Sequence, residues 1–220
     1  IGAVSASSND DLIDSSDAVL LCVKPQDTVK MLEGLSSPAQ SKLFISIAAG
    51  LKLQDLEKSL GENARVIRVM PNTPALVGKG ASAFSRGTGA TDEDANFVMN
   101  LLGSVGQVLE VPEKQIDAIT GLSGSGPAYI YTVIEALADG GVLVGLPKDK
   151  ALLLAAQTVA GAAEMVMQTG DHPASLRDQV ASPGGTTIAG LAALESGKLR
   201  ATLIDAVKAA TVRSEELGKS

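Results

Sequence analysis

Tryptophan is absent from the 220 residues, aromatics are limited to 2 Tyr and 3 Phe, and cysteine and histidine occur once each. So few rings make poor platforms for stacking bases. Against 25 Asp and Glu stand only 18 Lys and Arg, a formal charge of −7, so there is no surplus of cations to displace counterions from a phosphate backbone. Both absences exclude nucleic acid as a partner. One cysteine excludes an internal disulfide and a cysteine cluster for zinc. Cys22 lies in the apolar run "AVLLCV" and reads as a small buried hydrophobe, because a reactive thiol needs an exposed, electropositive setting. One histidine excludes a His-rich metal site. His172, in "TGDHPASLRDQ", reads as a solvent-facing or helix-capping residue in a polar turn between helices, so the chemistry does not rest on imidazole.

Long apolar runs are missing too. No uninterrupted stretch approaches the roughly 20 residues that span a bilayer; the most apolar region, 129–146, is broken by Glu135, Asp139 and the Gly140-Gly141 pair. The chain does not open on a basic segment followed by an apolar one, so no secretory signal is read and the expected location is cytoplasmic. What remains is a globular composition, 45% apolar and 20% charged.

The first half alternates strands with short helices. A polar stretch over 5–17 leads into the apolar run 18–23, which Lys24-Pro25 ends, since proline cannot continue a ladder. Val29, Leu32 and Leu35 have helical spacing, closed by Gly34 and Ser36-Ser37-Pro38. "KLFISIAAG" is a second strand; 53–60 is a helix with Gly61 as its stop; "ARVIRVMPNTP" is a third strand running into a proline-shaped loop. The alternation implies right-handed βαβ units in a parallel sheet. Ligands of such sheets bind beyond the carboxyl ends of the strands, which here carry "VKPQ", "AAG" and "MPNTP". No G-x-G-x-x-G follows a strand. In "GLSGSGPAY" Tyr129 stands where the last glycine belongs, and in "VGKGAS" Lys79 is followed by Gly80 rather than Ser or Thr. A dinucleotide-binding reading therefore expects the first βαβ unit upstream of Ile1, in a chain that reads as truncated.

After "VGQVLEVPE" the texture becomes helical. Ser125-Gly126-Pro127 reads as a helix start with Ser as the cap. "GLPKD" opens a second helix in which Leu152, Ala156, Val159, Ala163 and Val166 share a stripe, flanked by the small residues Ala155, Ala160, Gly161 and Ala162. A third starts at Leu199, with Leu203 and Val207 in its row. Helices apolar on several sides imply a bundle continuing across a subunit interface, although the core of a monomer has the same pattern. The most specific segment is "VASPGGTTIAGLAALE". Two glycines let the loop fold round a ligand, and the helix after it presents unpaired N–H groups and about half a positive charge to a carboxylate, with Thr hydroxyls alongside. An ordinary Thr-capped helix after a Ser-Pro turn has the same letters.

This segment, with "GLSGSGPAY…EALADGGV…GLP", "RVMPNTP" and "CVKPQ" in the same order, resembles the pyrroline-5-carboxylate reductase family over essentially the whole chain. The resemblance implies an α/β fold: a partial Rossmann-like parallel sheet domain, 1–112, followed by an all-helical dimerisation domain, 113–220. It implies hydride transfer from NADPH or NADH to the cyclic imine 1-pyrroline-5-carboxylate, giving L-proline. Cys22, Val23, Lys24 and Pro25, with Ile47, Ala48 and Ala49, would line the cofactor; Asn9 would touch its adenosine side, and Asn72 would lie near the nicotinamide. Ser182, Gly185, Thr186 and Thr187 would hold the substrate carboxylate, with Thr187 facing the ring nitrogen as the catalytic residue. Glu113 is a weaker candidate for that nitrogen, its plain alternative being an acid in a helix's first turn. The expected partners are the substrate and further copies of the chain, as a dimer or decamer, without metal, nucleic acid or membrane.

A protonated imine is already electrophilic, so hydride addition at its carbon needs positioning and electrostatics rather than a strong base. That suits a chain with one unpromising histidine. Two other readings compete. A two-domain reductase of the β-hydroxyacid dehydrogenase type wants a lysine on the long helix, where this chain has Lys148 and Lys150 only at a helix start. A non-enzymatic oligomerisation module would self-associate and leave the cofactor unbound.

Overall fold

The computed structural model describes residues 2–35, 42–61 and 64–219; the Ser36-Ser37-Pro38 turn lies outside the described residues. Helix α1 (Asn9–Asp14) is capped by Ser8, whose side chain accepts from the Asp11 amide. Next come β1 (Ala18–Leu21), α2 (Pro25–Glu33), β2 (Leu43–Ser46), α3 (Leu53–Leu60) and β3 (Arg65–Met70). These strands pair in parallel as the alternation implies, Leu21 opposite Ser46 and Ser46 opposite Arg68. Period two divides the core. Val19, Leu21, Phe44 and Val66 face α1, α2 and α3 through Ile13, Leu32, Leu53, Leu56 and Leu60. Leu43, Ile45, Ile67 and Val69 face the other way.

The sheet then departs from a purely parallel one. A 3-10 turn (Thr73–Val77) reverses the chain into β4 (Gly80–Arg86), antiparallel to β3; α4 (Asp92–Gly103) crosses over to β5 (Gly106–Glu110), parallel to β4. Order β1-β2-β3-β4-β5 leaves β1 at one edge. Helix α4 seals the second face with Ala95 and Val98. It starts in a capping box: Thr91 and Asp94 hold each other's backbone amides. The buried Asp94 carboxylate also takes the Arg65 guanidinium. That hydrogen bond, followed by those from Thr91, holds the Asp94 carboxyl below its usual range.

One expectation about β1 is corrected. Cys22 is exposed. It lies one residue past the edge strand, on the alternate face with Leu20, itself 50% exposed. Among the described residues nothing covers Leu20 and Cys22 on that face, so apolar neighbours in the sequence did not translate into burial.

Beyond β5, a 3-10 turn (Glu113–Gln115), α5 (Ile116–Ile119) and a π-turn (Thr120–Gly124) lead into α6 (Gly126–Leu143). Ser125 is not a helix cap in the expected sense. Its backbone is already helical (φ −87, ψ −21), and its amide donates to the Thr120 carbonyl at 2.8 Å, closing the π-turn. Then follow α7 (Lys148–Thr169), α8 (Pro173–Gln179), α9 (Thr186–Ser196) and α10 (Leu199–Leu217). His172 is exposed and caps α8, Nδ1 accepting from the Ala174 amide at 3.2 Å.

Two compact units result: Ile1–Pro127 with Val207–Ser220, and Ala128–Ala206. The helical unit buries little of its apolar surface. Ala138, Ala151 and Ala155 form its cluster, with Ile134 against it, while Leu143, Leu153 and Ile204 remain 87%, 70% and 67% exposed. By length and composition α7 could cross a membrane, although Gln157 and Glu164 interrupt its apolar positions.

Candidate functional site

The first part of the site belongs to the sheet unit. Because β1 and β2 end in register, the segments after them lie side by side, the Ile47 amide donating to the Leu21 carbonyl at 3.2 Å. Cys22, Val23 and Lys24 are exposed, Pro25 half-buried as the first residue of α2. Buried Thr28 fixes that entry by donating to the Lys24 carbonyl at 3.0 Å. Ile47 packs against the core, Ala48 is buried with its amide donating to Ser46 Oγ at 3.3 Å, and Ala49 is exposed. The small, open ends form a ledge across neighbouring parallel strands, the place where α/β sheets take ligands. Pro25 and Ala49 also line one cavity together with Leu217 and Gly218 of the α10 terminus. Asn9 is exposed at the first position of α1, rather than in an irregular loop.

Asn72 and Glu113 are occupied within the same unit. Asn72 Nδ2 donates to the Ser123 carbonyl at 3.0 Å, and Oδ1 accepts from the Ala81 amide at 2.9 Å. Glu113 Oε1 accepts from Arg68 Nη1 at 3.0 Å and from the Leu53 amide at 2.7 Å. The N-cap residue of α3, Lys52, has no side-chain acceptor to offer, so Glu113 caps that helix from 60 residues away. Arg68 is 3% exposed; a charge so buried needs partners. Asp117 supplies the second, 3.7 Å from Arg68 Nη2, while also accepting from Ser214 Oγ at 2.7 Å. Sequence reasoning missed Arg68, Asp117 and Ser214. The available signal was an arginine in the middle of "RVIRVM".

The second part belongs to the helical unit. Gly184 has φ +69, the left-handed turn that tightens the Ser182–Thr187 loop, and the Gly185 amide donates to the Ser182 carbonyl at 3.0 Å. A Cβ on Gly185 would displace Ser182 Oγ and crowd the Ser182 carbonyl at 3.2 Å, so glycine keeps this turn tight. Gly185 is the N-cap of α9 and no side chain caps the helix. Ser182 and Thr186 are exposed, Gly185 and Thr187 half-buried. The first amides of α9 thus lie at an accessible loop, suited to an anion, with two threonine hydroxyls beside them.

The helical half, residues 113–217, matches the family model for pyrroline-5-carboxylate reductase dimerisation. Residues 1–50 match the model for NADP oxidoreductase, coenzyme F420-dependent. Pyrroline-5-carboxylate reductase of Arabidopsis thaliana is 56% identical over 215 residues, 97% of this chain and 78% of that protein. The chain belongs to the pyrroline-5-carboxylate reductase family. The Methanosarcina acetivorans pyrroline-5-carboxylate reductase is 50% identical over 94% of this chain and 77% of its own length. The crystal structure of the Plasmodium falciparum pyrroline carboxylate reductase with NADP bound superposes with a TM-score of 0.90 at 37% identity, over 97% of this chain and 81% of that one. Membership disposes of the β-hydroxyacid dehydrogenase alternative. Within this pyrroline-5-carboxylate reductase family chain, the two motif-bearing regions of the sequence thus fall on an open strand-end ledge and an open helix start.

Proposed function

We propose that the chain is a pyrroline-5-carboxylate reductase, converting 1-pyrroline-5-carboxylate to L-proline with NADPH or NADH. The 56% identity to a reductase of that name over 97% of the chain carries the reading. The ledge fits a nicotinamide dinucleotide because its exposed positions, Cys22, Val23, Lys24 and Ala49, leave backbone and small side chains open at adjacent strand ends. Those residues, with Pro25, Ile47, Ala48 and Asn9, would hold the cofactor. When bound, it supplies hydride to the imine carbon, the one that becomes Cδ of proline.

The chain's own residues then have modest tasks. Ser182, Gly185, Thr186 and the α9 amides hold the substrate carboxylate. Thr187 orients the ring nitrogen, which carries the proton that makes the carbon electrophilic; an ordinary hydroxyl is too weak an acid to protonate the imine by itself. Glu113 acts through the Arg68 and Leu53 contacts that fix the start of α3. Residues 1–112 form the cofactor domain and 113–220 the substrate-binding and dimerisation domain. The apolar side chains left open on the helical unit meet further copies of the chain, as a dimer or decamer, and the protein works in the cytoplasm. The test is reductase turnover by the 220-residue protein, read as loss of nicotinamide absorbance on adding the imine. Turnover with proline as product supports the reading. Self-association without cofactor binding or turnover replaces it with the oligomerisation module.

A further inference from the structure

The π-turn Thr120–Gly124 interrupts the regular helical backbone in the sheet unit, and its neighbours explain how it is held. Widened turns of this kind occur mostly as single interruptions, often at functional sites. On one side, a Cβ on Gly121 would lie 2.7 Å from the Val207 carbonyl oxygen and 2.9 Å from the Thr211 amide nitrogen of α10. On the other, a Cβ on Gly124 would meet Met70 Cε at 2.6 Å at the end of β3. At Gly121 the contact is with backbone, so only glycine lets the turn sit this deep; at Gly124 it is with the tip of a flexible methionine. Between these packed sides stands one polar fastener: Asn72, two residues past β3, whose amide spans the Ser123 carbonyl and the Ala81 amide. Arg68, four residues earlier, grips the same connection at its start through Glu113 and Asp117.

We propose that Asn72 is a positioning residue of the reductase, locking the π-turn onto the carboxyl end of β3, and not a cofactor-contacting group. The role in turnover rests on the proposed reductase activity; the lock does not. Each end of the Asn72 amide is engaged by a backbone group of a separate segment, the oxygen by β4 and the nitrogen by the π-turn. Its side chain is thus a polar link between β3's loop and the turn leading into α6. The beginning of α6 is thereby set at a strand end, where α/β sheets bind ligands.

Two variants test this. Asn72→Asp keeps the acceptor for Ala81 but sets a carboxylate oxygen against the Ser123 carbonyl. Gly124→Ala loosens the turn from the opposite side, against a flexible methionine tip. Amide hydrogen exchange over 120–126 is expected to speed up tenfold or more in both variants, with the sheet core and the melting transition near wild type. Steady-state kinetics are expected to show kcat lowered on the order of tenfold to a hundredfold, as small misplacements do, with the NADPH KM within twofold. The double variant should be no worse than the more affected single one. Unchanged exchange in Asn72→Asp overturns the lock. A raised NADPH KM with unaltered kcat, or additive effects in the double variant, makes Asn72 a cofactor contact instead. An inactive wild type rejects the reductase reading and the kinetic role with it, and exchange alone then decides the lock.

Discussion

Replacing Gly121 by alanine sets one methyl group against the backbone of a neighbouring helix. The new Cβ would stand 2.7 Å from the Val207 oxygen and 2.9 Å from the Thr211 nitrogen, and would overlap Thr211 Oγ1. Carbon contacts settle at about 3.5–4.0 Å, so α10 must retreat by roughly half an ångström or more. Over-packing of this kind costs about 1–3 kcal/mol. The retreat also stretches the 2.7 Å bond from Ser214 to Asp117, one turn further along α10; a hydrogen bond to a charged group is worth about 1.5–3 kcal/mol when lost outright. Against these stands a gain of up to about 1 kcal/mol from replacing glycine in a helical segment. The net expectation is a loss of about 2 kcal/mol. At about 2–4 °C per kcal/mol for a chain of this size, Tm falls by about 4–8 °C, measurable by calorimetry or far-UV circular dichroism. Gly124→Ala is the control, since it meets only the Met70 tip and should cost under about 1 kcal/mol. A Tm for Gly121→Ala equal to or above wild type, or a larger loss in Gly124→Ala, refutes the packing argument.

Thr187→Ala should lower turnover more than it weakens NADPH binding, measured as kcat against the cofactor Kd; equal losses in both would remove Thr187 from the chemistry. Asp94 has a depressed carboxyl pKa, so its ion pair and capping bonds stabilise the fold above its unfolded value of about 3.9 and are lost as pH falls through the lower folded value. The stability gap between wild type and Asp94→Asn is therefore expected to be full at neutral pH and to close below about pH 4 in denaturant titrations; a constant gap contradicts this. A methyl group on Gly161 or Gly190 would meet nothing within 4 Å beyond its own helix among the described residues, although each glycine sits inside a helix at a propensity cost of about 1 kcal/mol. If partner helices use that space, alanine at both positions weakens self-association in sedimentation while leaving helicity intact; unaltered association places the interface elsewhere.

Where burial and periodicity coincide, the letters were enough. The runs giving β1, β2 and β3 are Leu-, Val- and Ile-rich and strand-length, and each is followed by proline or small residues that end the ladder. Strand β4 escaped because "GASAFSR" has neither alternation nor β-branched bulk; its Ser82 and Ser85 are buried beside Ala83 and Phe84, Ser85 Oγ donating to the Val111 carbonyl at 2.6 Å. Helix α4 did carry a readable start in its Thr91-x-x-Asp94 box. Cys22 shows the opposite failure, since an apolar run is blind to which strand will stand at the sheet edge. The Ser182–Thr187 loop was legible because its glycines and helix start are local in sequence. The Arg68–Glu113–Asp117–Ser214 chain was not, as its links close over 45, 49 and 97 residues, distances that local patterns do not encode.

In the proposed reductase the α9 amides and the glycine loop before them seat the substrate carboxylate. Amide NMR of the protein titrated with L-proline and, separately, with L-prolinamide addresses this directly, because the two ligands differ only at that group. Shifts centred on Gly185, Thr186, Thr187 and Ile188 are expected with proline, and little response to prolinamide. Equal responses to the two ligands, or shifts that leave these four residues untouched, would contradict it.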